Sequence, residues 1–381
     1  MDRLLDWAQS QQNALISFLR KLVECESPSD DPTAVARFVE LFADDVSGIA
    51  RVKRIAGRGG RGPHLLCEFD SPGRKKTGRI LGLGHSDTVW PMGTLATMPW
   101  REEAGRLWGP GVLDMKSGLA FFAFAVRALR DLDIPAPRKL ALLIVSDEEV
   151  GSHTSRALTE AEAKKSSAVL VLEPGTGLGG KAKTARKGVG GFELRVRGIS
   201  SHAGVDFAAG ANAILELAYQ TGRIGEFADL DRGVTVNPGI VEGGTRTNVV
   251  PALARLAVDF RVPKLRDYER LRRQIAGLKP RDKRCSLEVD IDLNRPPMER
   301  TPGVARLFRT AKTLAAEVDV ALEESSTGGG SDGNFTAGLG IPTLDGLGGV
   351  GEGAHAVHES ILVDRVADRV ALLAKLLASP L

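Results

Sequence analysis

Apolar residues fall along this chain in two patterns, and the change from one to the other gives the architecture. From Leu4 to Glu24 they recur at helical spacing, interrupted by charges. That predicts one amphipathic helix, not a secretory signal, which needs an unbroken apolar stretch. It stops before the turn Ser27-Pro28-Ser29. Strand-like runs follow near 50–56, 64–69 and 79–84. A helix over 116–130 leads into Lys139-Leu140-Ala141-Leu142-Leu143-Ile144-Val145. Such a continuous apolar run marks a parallel strand covered on both faces. A helix near 153–164 precedes a second one, Ala168-Val169-Leu170-Val171-Leu172. Strands alternating with helices predict an α/β domain with a central, mainly parallel sheet flanked by helices.

The pattern changes after residue 187. Gly191-Phe192-Glu193-Leu194-Arg195-Val196-Arg197 alternates apolar with polar, as a half-exposed antiparallel strand does. A helix near 210–226, strands at 234–242 and 252–262 and a basic helix at 266–278 complete an α+β unit with an antiparallel sheet. Helices near 302–317 and 362–378 resume the first pattern. The prediction is a discontinuous domain, 1–187 with 297–381, and an inserted domain, 188–296.

The 381 residues suit two domains. They are 43% hydrophobic and 26% charged, with a net charge of +3, so a full core is available and neither nucleic acid nor membrane is an expected partner. No run reaches transmembrane length. Cys25, Cys67 and Cys285 are odd in number and widely spaced, which fits neither a disulfide framework nor a thiolate metal site. The expected location is the cytoplasm.

Polar groups collect where the predicted strands stop. His85 and Asp87 follow the 79–84 run, Glu148 and Glu149 follow 139–145, and Glu173 follows 168–172. Asp114 precedes a helix, and His355 and His358 lie in Gly351-Glu352-Gly353-Ala354-His355-Ala356-Val357-His358-Glu359-Ser360. Singly, each carboxylate reads as a helix cap or a turn residue. Together, three acidic clusters at the carboxyl ends of strands repel one another unless a cation sits among them. Imidazole nitrogen and carboxylate oxygen suit zinc or a similar metal, and the number of ligands allows two ions sharing one carboxylate.

The segments GHSDTV, GPGVLDMKSG, SDEEVGS, VLEPG and GAHAVHES resemble, in order, the five metal-site motifs of the di-zinc exopeptidases. That family contains glutamate carboxypeptidase, aminoacylase, the acetylornithine and succinyl-diaminopimelate deacylases and bacterial dipeptidases. The resemblance runs from about residue 10 to the C-terminus, and GHSDTVWPMGTL with GPGVLDMKSG is most similar to the glutamate carboxypeptidase branch. It implies two Zn²⁺ per subunit, with Co²⁺ or Mn²⁺ as alternatives. His85 and Glu173 would bind one ion, Glu149 and His355 the other, and Asp114 both. His355 with Glu359 matches the family's last motif better than its rival His358. Asp87 would hydrogen-bond His85 and fix its tautomer. Glu148 would be the general base, and the Asp114–Met115 peptide would be cis.

The inserted domain resembles the family's lid or dimerisation domain. GISSHAGVDFAAGANAI carries His202, an oxyanion donor to the partner subunit's site in the family. Asn248 in VNPGIVEGGTRTNVVP and Arg261 in VDFRV would hold the substrate carboxylate. Gly329 and Gly330, in Gly328-Gly329-Gly330-Ser331-Asp332, match a loop where backbone approaches ligand closely. Lys181, Lys183 and Arg186 either attract an acidic side chain or form a solvated linker face. The implied activity is amide hydrolysis by a zinc-bridged water, with Glu148 as base. It releases a C-terminal amino acid, glutamate or another acidic residue, from a small peptide or N-acyl amino acid, in a homodimer formed through the inserted domain. N-acyl-amino-acid deacylase or dipeptidase activity is the alternative within the family, and a metal-free binding protein the alternative outside it.

Two further motifs point elsewhere and fail on context. Gly57-Arg58-Gly59-Gly60-Arg61-Gly62 matches GxGxxG, but a dinucleotide fingerprint opens a helix, whereas Pro63 and a strand-like run follow. Gly329-Gly330-Ser331-Asp332-Gly333 matches GxSxG, with Asp345 and His355 downstream. A nucleophile elbow follows a buried strand, which Glu323-Glu324-Ser325-Ser326-Thr327 is not.

Overall fold

Lys139–Val145 is a strand in which every residue after Lys139 is buried. Alternate side chains go to opposite sides. Leu140, Leu142 and Ile144 join the larger core, and Ala141, Leu143 and Val145 the smaller one. Both faces are therefore apolar, which is why the run shows no alternation in sequence. The computed structural model describes residues 2–381 and divides into two compact units.

The first unit comprises residues up to Ala185, Arg300–Thr327 and Ser331–Leu381. Its six-stranded sheet runs in the order Ala50–Ile55, His64–Phe69, Lys139–Val145, Arg79–His85, Ala168–Val171, Thr343–Leu344. The last four are parallel to one another, His64–Phe69 runs antiparallel to them, and Ala50–Ile55 is antiparallel to His64–Phe69. The expected helix over Leu4–Glu24 is two helices, Arg3–Ser10 and Gln12–Glu24, parted at Gln11. A helix that the apolar spacing did not single out, Pro32–Val46, is capped by Asp31 and buries Val35, Phe38, Val39 and Phe42. Short strands at Arg101–Glu103, Arg106–Trp108, Gly351–Glu352 and Ser360–Leu362 form a second small sheet.

Two glycines bring the site's elements together. A Cβ on Gly84 would lie 2.6 Å from the Met115 methyl, and one on Gly118 would lie 2.0 Å from the Leu172 carbonyl oxygen. Without side chains there, the start of helix Ser117–Asp131 packs directly on the ends of two neighbouring strands. Asp114 is thereby carried to His85 and Glu173.

The second unit comprises Arg186–Glu299 and Gly328–Gly330. Its antiparallel sheet runs Thr235–Gly243, Leu253–Val262, Gly188–Arg197, Ser286–Arg295. The fourth strand was not distinguished in the sequence. Phe192, Leu194, Val196, Leu256, Val258 and Phe260 form its core with Leu217 and Leu271, which come from helices Ala213–Gly225 and Leu265–Ala276. The edge strand Thr235–Gly243 leaves Ile240 and Val241 exposed.

Candidate metal centre

The three strands that end at the site are neighbours, with Arg79–His85 between Lys139–Val145 and Ala168–Val171. His85 is the last residue of the central one. Glu148 and Glu149 lie in the short 3₁₀ turn Glu148–Val150 after the second, and Glu173 lies two residues beyond the third. Asp114 sits in the tight turn Val112–Lys116, and its peptide bond to Met115 is cis, as the resemblance implies. His355 stands in a loop at φ +62°.

His85 is buried, and its Nδ1 lies 2.8 Å from the Asp87 backbone carbonyl. A carbonyl only accepts, so Nδ1 carries a proton, and in the neutral ring the Nε2 lone pair is left for a ligand. Nε2 faces Asp114 Oδ1 at 3.3 Å and Glu173 Oε1 at 3.6 Å. His355 Nε2 faces Asp114 Oδ2 at 3.4 Å and Glu149 Oε2 at 3.2 Å. The two oxygens of Asp114 thus point at two different imidazoles. His85, Glu148 and Glu173 offer ligand atoms all within 4.8 Å of one another, and so do His85, Asp114 and Glu149.

The charges are concentrated. Burial opposes ionisation of His85, but Asp114 and Glu173 outweigh it and raise its pKa well above an ordinary imidazole's. Asp114 and Glu149 lift His355 to about 10. Burial pushes Asp114 up, yet His355 and His85 hold it well below the usual carboxylate range. Glu149 goes the other way, because burial outweighs His355. Five carboxylates, those of Asp87, Asp114, Glu148, Glu149 and Glu173, surround two imidazoles. Glu149 Oε1 is buried with no hydrogen-bond partner, as an oxygen reserved for a cation would be. The donors are nitrogen and oxygen, as a borderline divalent metal prefers, so the residues present fit two such ions.

The other sequence candidates fall as follows. His358 is exposed and outside this cluster. Ser331 is fully buried and donates to Asp345 Oδ2 at 2.7 Å, so the GxSxG segment presents no nucleophile. The GxGxxG segment runs into strand His64–Phe69, not a helix. Lys181 pairs with Glu323, Lys183 Nζ is buried against the Pro174 carbonyl at 2.7 Å, and Arg186 donates to the Gly329 and Gly330 carbonyls at 3.2 and 3.0 Å. Of the two alternatives for these three cations, a solvated face fails for Lys183 and Arg186, which are buried.

His202, Asn248, Arg261, Gly329 and Gly330 belong to the second unit. The Ala203 N–H donates to the Asn248 carbonyl at 3.0 Å, which sets His202 and Asn248 side by side. The Gly204 N–H donates to His202 Nδ1 at 3.1 Å, leaving Nε2 as the protonated, donating nitrogen. Arg261 is held by Asp259 through two bonds of 3.0 Å.

With this geometry in place, comparison with known proteins is decisive. The sequence model of peptidase family M20/M25/M40 matches residues 82–379. The chain belongs to that family. It is 28% identical over 381 residues to carboxypeptidase G2 of Pseudomonas sp. (strain RS-16), covering 98% of this chain and 91% of that one. It is 30% identical over 299 residues to succinyl-diaminopimelate desuccinylase of Bordetella petrii, covering 74% and 77%. The fold is that of aminopeptidase PepT from Bacillus cereus, with a TM-score of 0.81 at 24% identity over 97% and 99% of the two chains. Membership makes the chain a metallopeptidase or amidohydrolase of the M20 type, with a catalytic domain and a lid domain.

Three features of this M20 member escaped the sequence. The Asp87 carboxylate is not what contacts His85 most closely; its Oδ1 is 3.6 Å from Nδ1, farther than the backbone carbonyl. It accepts instead from Ser29 Oγ at 2.7 Å and from the Glu148 and Glu149 N–H groups at 3.2 Å each. Lys116 is buried, donates to the Cys25 carbonyl at 3.0 Å and lies 5.2 Å over the Phe38 ring. Burial pulls its pKa down to about 8. Glu359 is fully buried beneath Asp114. Backbone donors bind two of these three groups, and nothing in a residue pattern announces them.

Proposed function

We propose that this chain hydrolyses an amide bond to release a C-terminal amino acid, glutamate or another acidic residue, from a small peptide or N-acyl amino acid. The observation that carries the reading is Asp114, whose two oxygens face two imidazoles, with Glu148 beside His85 and Glu173. His85 and Glu173 would hold one divalent cation, Glu149 and His355 the other, and Asp114 both. Zinc is the proposed metal, with cobalt or manganese as alternatives. When bound, such a pair supplies Lewis acidity towards water and the amide carbonyl. Glu148 takes the proton from the attacking water and delivers it to the leaving amine. Asp87 holds the Glu148 backbone in place for that transfer. His202, with Nε2 protonated, donates to the oxyanion in the partner subunit's site. Asn248 and Arg261 bind the substrate carboxylate, and Gly329 and Gly330 admit it closely to the backbone.

The acidic preference rests on the resemblance of GHSDTVWPMGTL to the glutamate carboxypeptidase branch, and the 28% identity with carboxypeptidase G2 supports release from the C-terminus. The 30% identity with a desuccinylase supports the second reading, deacylation of an N-acyl amino acid by the same chemistry. The exposed apolar edge at Ile240 and Val241 supports a homodimer through the second unit, which sedimentation across a range of concentrations checks. No helix among the described residues is long and apolar enough to cross a membrane. The deciding experiment is elemental analysis paired with hydrolysis of N-acyl-glutamate, dipeptide and N-succinyl substrates before and after chelation. Two ions per chain with chelator-sensitive release of a C-terminal glutamate supports the proposal, and preferred release of the acyl group from N-succinyl substrates favours the deacylase. No metal and no turnover after zinc is restored leaves a binding protein.

A further inference from the structure

A carboxylate buried without partners is unstable, yet Glu359 has no exposed surface. Its oxygens account for this. Oε2 accepts from Trp90 Nε1 at 2.8 Å and from the Gly111 N–H at 2.9 Å. Oε1 accepts from the Leu113 N–H at 2.9 Å and the Asp114 N–H at 3.0 Å. Three of the four donors are backbone groups of the single turn that presents Asp114. Converging amides of this kind form a cradle for an anion, and the chain fills it with its own carboxylate. Glu359 stands four residues after His355. The Gly109 N–H donates to its carbonyl at 3.4 Å, and Ser360 beside it pairs with Trp108. The segment bearing His355 is therefore fastened to the turn bearing Asp114 by side chain and backbone together.

We propose that Glu359 is a positioning residue that sets the separation of Asp114 from His355, and through it the affinity for the cation pair. This rests on the metal reading above. Glutamine cannot replace it: whichever way the amide turns, its NH₂ faces two N–H donors where an acceptor is required. Outer partners of metal ligands typically change metal affinity by ~10–100-fold.

The test compares metal-free wild type, Glu359→Gln and Trp90→Phe as full-length chains. Each is titrated with Co²⁺ and Zn²⁺, the Co²⁺ visible spectrum is recorded, and melting is followed with and without metal. For Glu359→Gln the expected result is a folded protein with at least tenfold weaker binding at one site or both, a shifted Co²⁺ band and a smaller metal-induced rise in Tm. Wild-type affinity and an unshifted band, with apo and metal-loaded Tm lowered equally, would mean a scaffold role only and overturn the proposal. Should Glu359→Gln fail to fold, Trp90→Phe decides. It removes one donor and keeps the carboxylate, so a shifted band and several-fold weaker binding are expected, and wild-type behaviour overturns the proposal. A wild type that binds no cation overturns the metal reading itself, a separate outcome.

Discussion

Asp87→Asn separates what the structure assigns to Asp87 from what a simple histidine partner would do. Oδ1 accepts from the Glu148 N–H, and Oδ2 accepts from the Glu149 N–H and Ser29 Oγ. Asparagine keeps one oxygen. The Ser29 hydroxyl can turn round and accept from the new NH₂, but a backbone N–H cannot, so one of the two amides loses its acceptor. A bond to a charged group contributes about 1.5–3 kcal/mol. Burial already raises the Asp87 pKa, so the neutral amide recovers some of that by having no charge to bury. The net loss is about 1–2 kcal/mol, a fall of a few degrees in Tm. Turnover suffers more, because the freed amide belongs to the proposed general base, Glu148, or to its neighbour, and a displacement near 1 Å costs about a hundredfold. The expected result is kcat lower by ~10–100-fold, KM changed by less than about threefold, and two ions retained. Steady-state kinetics, calorimetry and elemental analysis of one preparation read all three. A kcat within twofold of wild type, alongside the lowered Tm, would refute the positioning of Glu148 by Asp87.

Glu148→Gln keeps both cations and lowers kcat by ~10²–10⁴; loss of an ion in elemental analysis would instead make Glu148 a ligand. Asp259→Asn frees the Arg261 guanidinium, so KM for substrates with a free C-terminal carboxylate falls several-fold while kcat holds, and an unchanged KM counts against Arg261 reaching the substrate. Glu216 supplies a pH test. Burial opposes its charge, but the Asp282 N–H at 2.9 Å, the Gln220 amide at 2.7 Å and the Arg281 N–H at 3.0 Å outweigh it and hold its pKa below the ordinary 4.5. Its contribution is therefore present above the unfolded pKa and lost as pH falls through the lower folded one. Glu216→Gln should lower Tm near neutral pH and flatten its decline below about pH 4.5; parallel Tm curves for the two proteins would refute this.

The elements that were legible in sequence are those whose burial leaves a pattern. Lys139–Val145 was read to the residue because both of its faces are covered. The alternation at 191–197 located a strand that begins at Gly188. Asp31-Pro32 marks the helix Pro32–Val46 by cap and first turn, a signal separate from apolar spacing. The break at Gln11 has no glycine or proline to mark it. Arg101–Glu103 is three exposed residues, too short for any period to show. At the site, ligand types and their places at strand ends were readable. Which atom of Asp87 meets His85 was not, since the atom is a backbone carbonyl. Glu359 stood in the last motif, but its hold on the Asp114 turn was not readable, because its donors are mostly peptide N–H groups.

The second unit lies in the chain between Glu173 and His355, which gives the centre an order of assembly. As the chain leaves the ribosome, His85, Asp114, Glu148, Glu149 and Glu173 emerge first, and the sheet ends that hold them can form early. The second imidazole, and the Glu359 carboxylate that anchors the Asp114 turn, arrive only after the whole second unit has been made. Through that interval the nascent chain offers a crowd of carboxylates around a single histidine. On the proposed reading, the ligand set for a second cation would be complete only once the second unit has been made.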